Sequence, residues 1–150
     1  MAVSTGAGVL IRPARATDAA ALARLSGQFG YPTETKAMAK RLALVLGRSD
    51  QQVLVAEDGA GDVAGWVHIA ERVLLQADRL AEVEGLVVEQ ARRRRGIGRH
   101  LMMAAEEWAR GAGCRRISLR TNVVRSSALE FYQSLGYHLT KTQCTLQKEW

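Results

Sequence analysis

At 150 residues the chain is long enough for one domain with a real core, and its 47% apolar and 24% charged residues exclude a disordered or fibrous class. No apolar run reaches the length of a membrane-spanning helix, and two cysteines, Cys114 and Cys144, exclude a disulfide framework and read instead as buried free thiols. The net charge of +6 is unevenly spread: residues 91–125 hold ten arginines against Glu106 and Glu107, so this stretch carries +8 and the remainder −2. Such a compact positive region suits one multiply charged ligand at least as well as a nucleic-acid track.

Residues 1–8 read as a loose, flexible tail with no signal-peptide pattern, and a cytoplasmic, reducing location fits. A single domain is expected over 9–150. Val9 to Arg12 form a short strand candidate, and Thr17 or Asp18 is placed to cap a helix carrying Ala21, Leu22 and Leu25 at helical spacing. A second helix begins near Thr33 or Thr35 and runs to Gly47. Strands at 52–57 and 63–70 flank the turn Asp58-Gly59-Ala60-Gly61-Asp62, and 71–79 reads as a loop-containing interval. Next come a strand over 81–88, a helix over 97–111, a strand over 114–121 and a helix from Ser126 to Leu135. Closing strands are expected near 137–140 and 143–149. The order predicts a mixed α/β domain with a strand–helix–strand crossover at its centre.

The stretch "VVEQARRRRGIGRHLM" places Gly96 and Gly98 between a strand and a helix. Glycine lets the backbone approach a bound group, while the free N–H groups of a helix's first turn favour an anion, so a phosphate or pyrophosphate cradle is one reading. A tight turn beside a solvated arginine face is the other. A nucleoside triphosphatase loop is excluded by the absence of Gly-x-x-x-x-Gly-Lys-Ser/Thr, and a dinucleotide fingerprint fails because its third glycine position is Leu101. Period two places Glu82 and Glu84 on one face of their strand, as a pair able to act as base or cation site, or as acids paired with arginines. His68 lies on the preceding strand, as a cleft residue or a structural one. No His/Cys/Asp cluster has metal-ligand spacing, so no metal is expected.

Arg93-Arg94-Arg95-Gly96-Ile97-Gly98 resembles the Arg/Gln-x-x-Gly-x-Gly/Ala signature of the GCN5-related N-acetyltransferase superfamily. "LRTNVVRSSALEFYQSLGY" is similar to the family's later segment, giving Asn122, Ala128, Phe131, Tyr132, Leu135, Gly136 and Tyr137. The resemblance covers about residues 9–150. It implies an acyl-CoA N-acyltransferase fold, with parallel strands splaying apart after Val88 and before Ile117 to admit acetyl-coenzyme A. The backbone of Arg94, Arg95, Gly96, Ile97, Gly98 and Arg99, with Arg93 at the fixed first position, would then receive the pyrophosphate. Leu86, Val87 and Val88 would bond the pantetheine arm, with Asn122 and Ala128 completing the coenzyme site. Arg125 stands where many members carry Asn, which removes an amide contact and offers a guanidinium to a coenzyme phosphate.

The same resemblance implies Tyr132 as the acid that protonates the departing thiolate, and Glu82 or Glu84 as the base. Tyr31, Glu34 and His68 would line the acceptor side. The implied activity is direct acetyl transfer to a primary amine of a small molecule, in a cytoplasmic homodimer that associates through late strands or neighbouring helices. A peptide amine, or a non-catalytic coenzyme-binding module, is the rival reading. A nucleic-acid partner is disfavoured because only Trp108 interleaves the arginines between 92 and 130.

Overall fold

The computed structural model describes residues 2–6, 8–124 and 126–150. Its elements are strands β1 (Val3–Ser4) and β2 (Leu10–Pro13), helices α1 (Ala19–Gln28) and α2 (Thr35–Leu46), and strands β3 (Gln51–Glu57), β4 (Val63–Leu74) and β5 (Ala77–Val88). Helix α3 (Ile97–Gly111), strand β6 (Ile117–Leu119) and helix α4 (Ser126–Ser134) follow. Residues 1–120 and 121–150 group into two compact units.

In the first unit six strands form one sheet in the order β1-β2-β3-β4-β5-β6. All neighbours are antiparallel except β5 and β6, which run parallel and are joined by the α3 crossover. Helices α1 and α2 cover one face, where Leu22, Leu25 and Leu42 pack with Val53, Val55 and Val87. Alternation turns Val67 and Ile69 to the other face. There α3 buries Ile97, Leu101, Met102, Ala105 and Ala109. At Gly65 the sheet and α3 meet so closely that a Cβ would lie 2.9 Å from the Val87 carbonyl oxygen and 3.1 Å from Leu101 Cδ1.

Helix α1 is entered through a buried ion cluster rather than a simple cap. The Asp18 carboxylate accepts two bonds from the Arg12 guanidinium, at 2.8 and 2.9 Å, and one from the Arg15 N–H at 2.7 Å. Arg12 also bonds Glu57. Asp18 therefore serves the entry, and Thr17 is exposed.

Four expectations change. Val3–Ser4 pair with β2, so the expected loose tail includes a strand. The interval 71–79 is the end of a long hairpin, in which β4 and β5 continue to Leu74 and resume at Ala77. Strand β6 is three residues long rather than eight. Residues 137–150 contain no regular element and 138–150 are exposed throughout, including Leu139, Leu146 and Trp150. That stretch has few apolar side chains and many polar ones. Strand-compatible residues alone supply no partner strand to pair with. Accordingly Cys144 is exposed and Cys114 half-buried, where two buried thiols are expected. The edge-strand basis for association through late strands is absent with them.

Candidate functional site

The approach to α3 is built by backbone geometry. Arg94 has φ 66° and Gly96 φ 82°, both left-handed, so the chain curls just before the helix. Gly96 is the N-cap of α3, and no side chain caps the helix's first N–H groups. No acidic residue stands in the first turn to compete for them. Ile97 is buried against the sheet, Gly98 is half-buried, and Arg93, Arg94, Arg95 and Arg99 are exposed around the turn. The Arg93 guanidinium reaches back to the Val88 carbonyl oxygen at 3.5 Å, at the limit of a hydrogen bond. Arg92 differs from its neighbours. It bonds Asp58 and, at 2.8 Å, Glu89, while Arg24 takes the other Glu89 oxygen at 2.8 Å. Arg92 thus ties the β3–β4 turn to the segment ahead of the glycine turn.

Strand β5 leaves an unpaired edge ahead of this turn. Its pairing with β6 runs from Ala81↔Ile117 to Val83↔Leu119 and stops. The β6-facing edge of 84–88, which includes Leu86, Val87 and Val88, has no strand partner among the described residues. At the same point β5 bulges against β4: His68 pairs with Gly85 and Ile69 with Val83, leaving Glu84 outside the register. Strict alternation would put Glu82 and Glu84 on one face. With the bulge, it is Glu82 and Gly85 whose partners, Ala70 and His68, share a face of β4.

The two carboxylates are consequently in different states. Glu82 is buried, with Oε2 bonded to Arg72 Nε and Oε1 to Arg120 Nη2, each at 2.9 Å. It links β4, β5 and the residue after β6 immediately before the strands part. Glu84 is exposed and makes no hydrogen bond or ion pair among the described residues. The Arg72 guanidinium is held above its ordinary pKa, first by the Glu82 hydrogen bond and charge, and in smaller part by the charge of Glu84.

Three residues around the bulge carry no motif signal. Gly85 lies close against Trp66, where a Cβ would be 3.0 Å from the indole Cη2 and would press on the ring. Trp66 Nε1 is buried without an acceptor among the described residues. Gln51 Oε1 lies 2.7 Å from His68 Nε2. His68 is half-buried, and burial lowers its pKa below the ordinary value. Cross-strand register, which brings these residues together, is the signal that could have found them.

On the α1–α2 connection, Tyr31 is 64% exposed and its ring is tilted against Phe29 at 5.8 Å between centroids. Glu34 is the exposed N-cap residue of α2, with no capping bond from its side chain. Both are available to a ligand on the solvent side.

In the second unit, Asn122 Oδ1 accepts the Val124 N–H at 3.2 Å, and Ala128 is half-buried in α4. Arg125 lies outside the described residues. Tyr132 packs edge-on against Phe131 at 5.1 Å and Tyr137 at 6.0 Å. Its hydroxyl forms no hydrogen bond among the described residues, and burial raises its pKa, so it stays protonated at neutral pH. Among the described residues no group of His, Cys, Asp or Glu could hold a metal ion, and no helix is long and apolar enough to cross a membrane.

Residues 19–137 match the family model described as Acetyltransferase (GNAT) family. An aminoglycoside N(6')-acetyltransferase type 1 of Klebsiella aerogenes is 31% identical over 88 residues, covering 57% of this chain and 58% of that protein. A glucosamine 6-phosphate N-acetyltransferase 1 of Oryza sativa subsp. japonica is 35% identical over 92 residues, 59% of this chain and 54% of that one. The matched region therefore spans a little over half the length of these curated relatives. Among solved structures, the aminoglycoside N-acetyltransferase AAC(6')-Iy in complex with CoA superposes with a TM-score of 0.85 at 20% identity, covering 99% of each chain. A putative acetyltransferase of Agrobacterium tumefaciens gives 0.81 at 25% identity, over 92% of this chain and 99% of that one.

Proposed function

The chain belongs to the acetyltransferase (GNAT) family, and on that premise we propose that it transfers the acetyl group of acetyl-coenzyme A to a primary amine of a small molecule. One observation carries the reading. An uncapped, acid-free helix start follows a strand whose outer edge is unpaired, and a free carboxylate, Glu84, sits at the bulge where that edge begins.

These residues fit the coenzyme. The backbone of Arg94 to Arg99 offers N–H donors and positive helix-end potential to a pyrophosphate, with the exposed guanidinium groups adding charge. The open edge of Leu86, Val87 and Val88 offers hydrogen bonds to an amide-bearing arm, while Asn122, Arg125 and Ala128 are assigned to the coenzyme by the family resemblance. When bound, acetyl-coenzyme A supplies the thioester carbonyl that the amine attacks. Glu84 meets the acceptor's ammonium group, since a carboxylate without a partner is available for a charge-assisted bond. Glu82 holds the strands and has both oxygens committed. Tyr132, kept protonated, donates to the departing sulfur. Tyr31 and Glu34 line the acceptor side. The substrates for which these relatives are named, aminoglycosides, glucosamine 6-phosphate and, in a Salmonella typhimurium protein 37% identical over 78 residues, aminoalkylphosphonates, support a small amine.

The test is an acetyl-coenzyme A turnover screen over aminoglycosides, amino sugars, aminoalkylphosphonates and peptides, with mass spectrometry of the product. Acetylation of peptide termini or lysines alone would overturn the small-amine reading, and coenzyme binding without any turnover would overturn the enzyme. A cytoplasmic homodimer belongs to the same proposal, resting now on the exposed Leu139, Leu146 and Trp150. A concentration-independent mass near 16.4 kDa by light scattering would reject the dimer.

A further inference from the structure

Histidine 68 lies on β4 opposite the bulge that carries Glu84. It pairs with Gly85, the residue after the bulged Glu84 and past the last β5–β6 pair. It shares a face of β4 with Trp66, two residues away. Its ring makes one hydrogen bond among the described residues, between Nε2 and Gln51 Oε1 at 2.7 Å. An amide oxygen only accepts, so this bond places the ring proton on Nε2 and leaves the lone pair on Nδ1. Nδ1 has no partner among the described residues and is not sealed from solvent, because the buried unsatisfied side-chain atoms there reduce to Trp66 Nε1.

We infer that His68, locked by Gln51 in the Nε2–H tautomer, is the proton acceptor for the amine, with Nδ1 as the basic atom and Glu84 as the anchor for the ammonium. This rests on the acetyl-transfer reading. Nδ1 takes one proton from the ammonium, directly or through water, and later releases it to solvent. The nitrogen–carbon bond forms as the carbon–sulfur bond breaks, and the sulfur keeps that electron pair. A second nitrogen proton is lost as the amide forms, and it balances the proton the sulfur gains. Glu82 cannot take this part without breaking one of its two ion pairs.

The charged groups along the same strands are Glu71 and Arg72 on β4 and Asp78, Arg79, Glu82 and Glu84 on β5, yet burial alone accounts for the lowered His68 pKa. A ring titrating below the ordinary value is neutral across physiological pH, the form a base requires.

Nitrogen-15 NMR of the free protein tests the tautomer, with bare Nδ1 and protonated Nε2 expected at pH 7. A protonated Nδ1 would overturn the inference. Kinetics with the best amine from the screen then test the role. His68→Gln should lower kcat by about 100-fold, in line with loss of a general base, with coenzyme affinity unchanged by calorimetry. Free imidazole should restore part of the activity of His68→Ala, which a purely structural histidine would not show. Gln51→Leu should cost a few-fold and raise the population of the Nδ1–H tautomer. Glu84→Gln should raise KM for cationic amines and keep the acid limb of the pH profile. Should His68→Gln retain that limb, or Glu84→Gln abolish it, Glu84 is the base and the inference fails. A wild-type protein that turns over no amine would remove the acetyl-transfer reading first and this inference with it.

Discussion

Glycine 96 separates the two meanings of the glycine turn. At φ 82° it occupies a conformation that costs a residue with a Cβ about 1–2 kcal/mol, less for Asn. Space within the protein is not the constraint, since a Cβ there would meet only the His100 ring at 3.8 and 3.9 Å, an ordinary contact. Gly96→Ala should therefore lose about 1–2 kcal/mol in urea denaturation, and Gly96→Asn under about 1 kcal/mol. If the glycine served only the turn, Asn would restore function nearly in full. If a pyrophosphate comes up to this backbone, any side chain displaces it. A lost charge-assisted hydrogen bond is worth about 1.5–3 kcal/mol, so coenzyme A affinity should fall by roughly 10- to 100-fold in both variants. Calorimetry on folded protein reads this directly. A folded Gly96→Asn protein whose affinity stays within about twofold of the parent would refute the cradle.

Three further outcomes follow from contacts away from the turn. Gly65→Ala should destabilise by about 1–3 kcal/mol, because its methyl would press on the Val87 carbonyl and Leu101, and an unchanged denaturation midpoint would contradict the close seating of α3. Glu82→Gln strips Arg72 and Arg120 of their shared carboxylate; as both arginines are more than a third exposed, the cost should be about 1–2 kcal/mol with less than tenfold loss of kcat. A 100-fold loss of kcat at unchanged stability would make Glu82 the base. Burial acts to raise the Asp18 pKa, but the Arg12 guanidinium and the Arg15 N–H outweigh it, and the carboxyl is held below its usual range. Its contribution is thus present above the unfolded value of about 3.9 and lost as pH falls through the lower folded value, so Asp18→Asn should flatten the stability profile below about pH 4.

The parts legible in the sequence are those encoded locally. The strand before the glycines, the helix after them and the apolar spacing of Leu101, Met102 and Ala105 need only near neighbours, and the structure places α3 at Ile97–Gly111. What escaped depends on partners distant along the chain. The bulge at Glu84 exists only against β4, and Gly65 and Gly85 look like any strand glycines until Leu101 and Trp66 are set beside them. The β4–β5 hairpin outran its expected ends because exposed Arg72, Val73 and Leu74 carry no alternating burial to read. Towards residue 150 the reverse holds: closing strands are expected near 137–140 and 143–149, and residues 137–150 have no regular structure.

The arginine cluster shows how this bears on function. Sequence alone supplies a block of like charge, which cannot distinguish a ligand site from a solvated face. In the fold the block divides by partner. Arg92 is spent on Asp58 and Glu89, Arg110 on Glu106, and Arg120 on Glu82. Arg93, Arg94, Arg95 and Arg99 make no ion pair among the described residues, and they surround the one uncapped helix start that follows the unpaired strand edge. The same pairing works in reverse on the acids. Because Arg72 and Arg120 converge on Glu82, the carboxylate left free at the bulge is Glu84. One exchange of partners thus leaves exposed positive charge around the start of α3 and an exposed carboxylate at the bulge, as the proposed coenzyme and ammonium sites require.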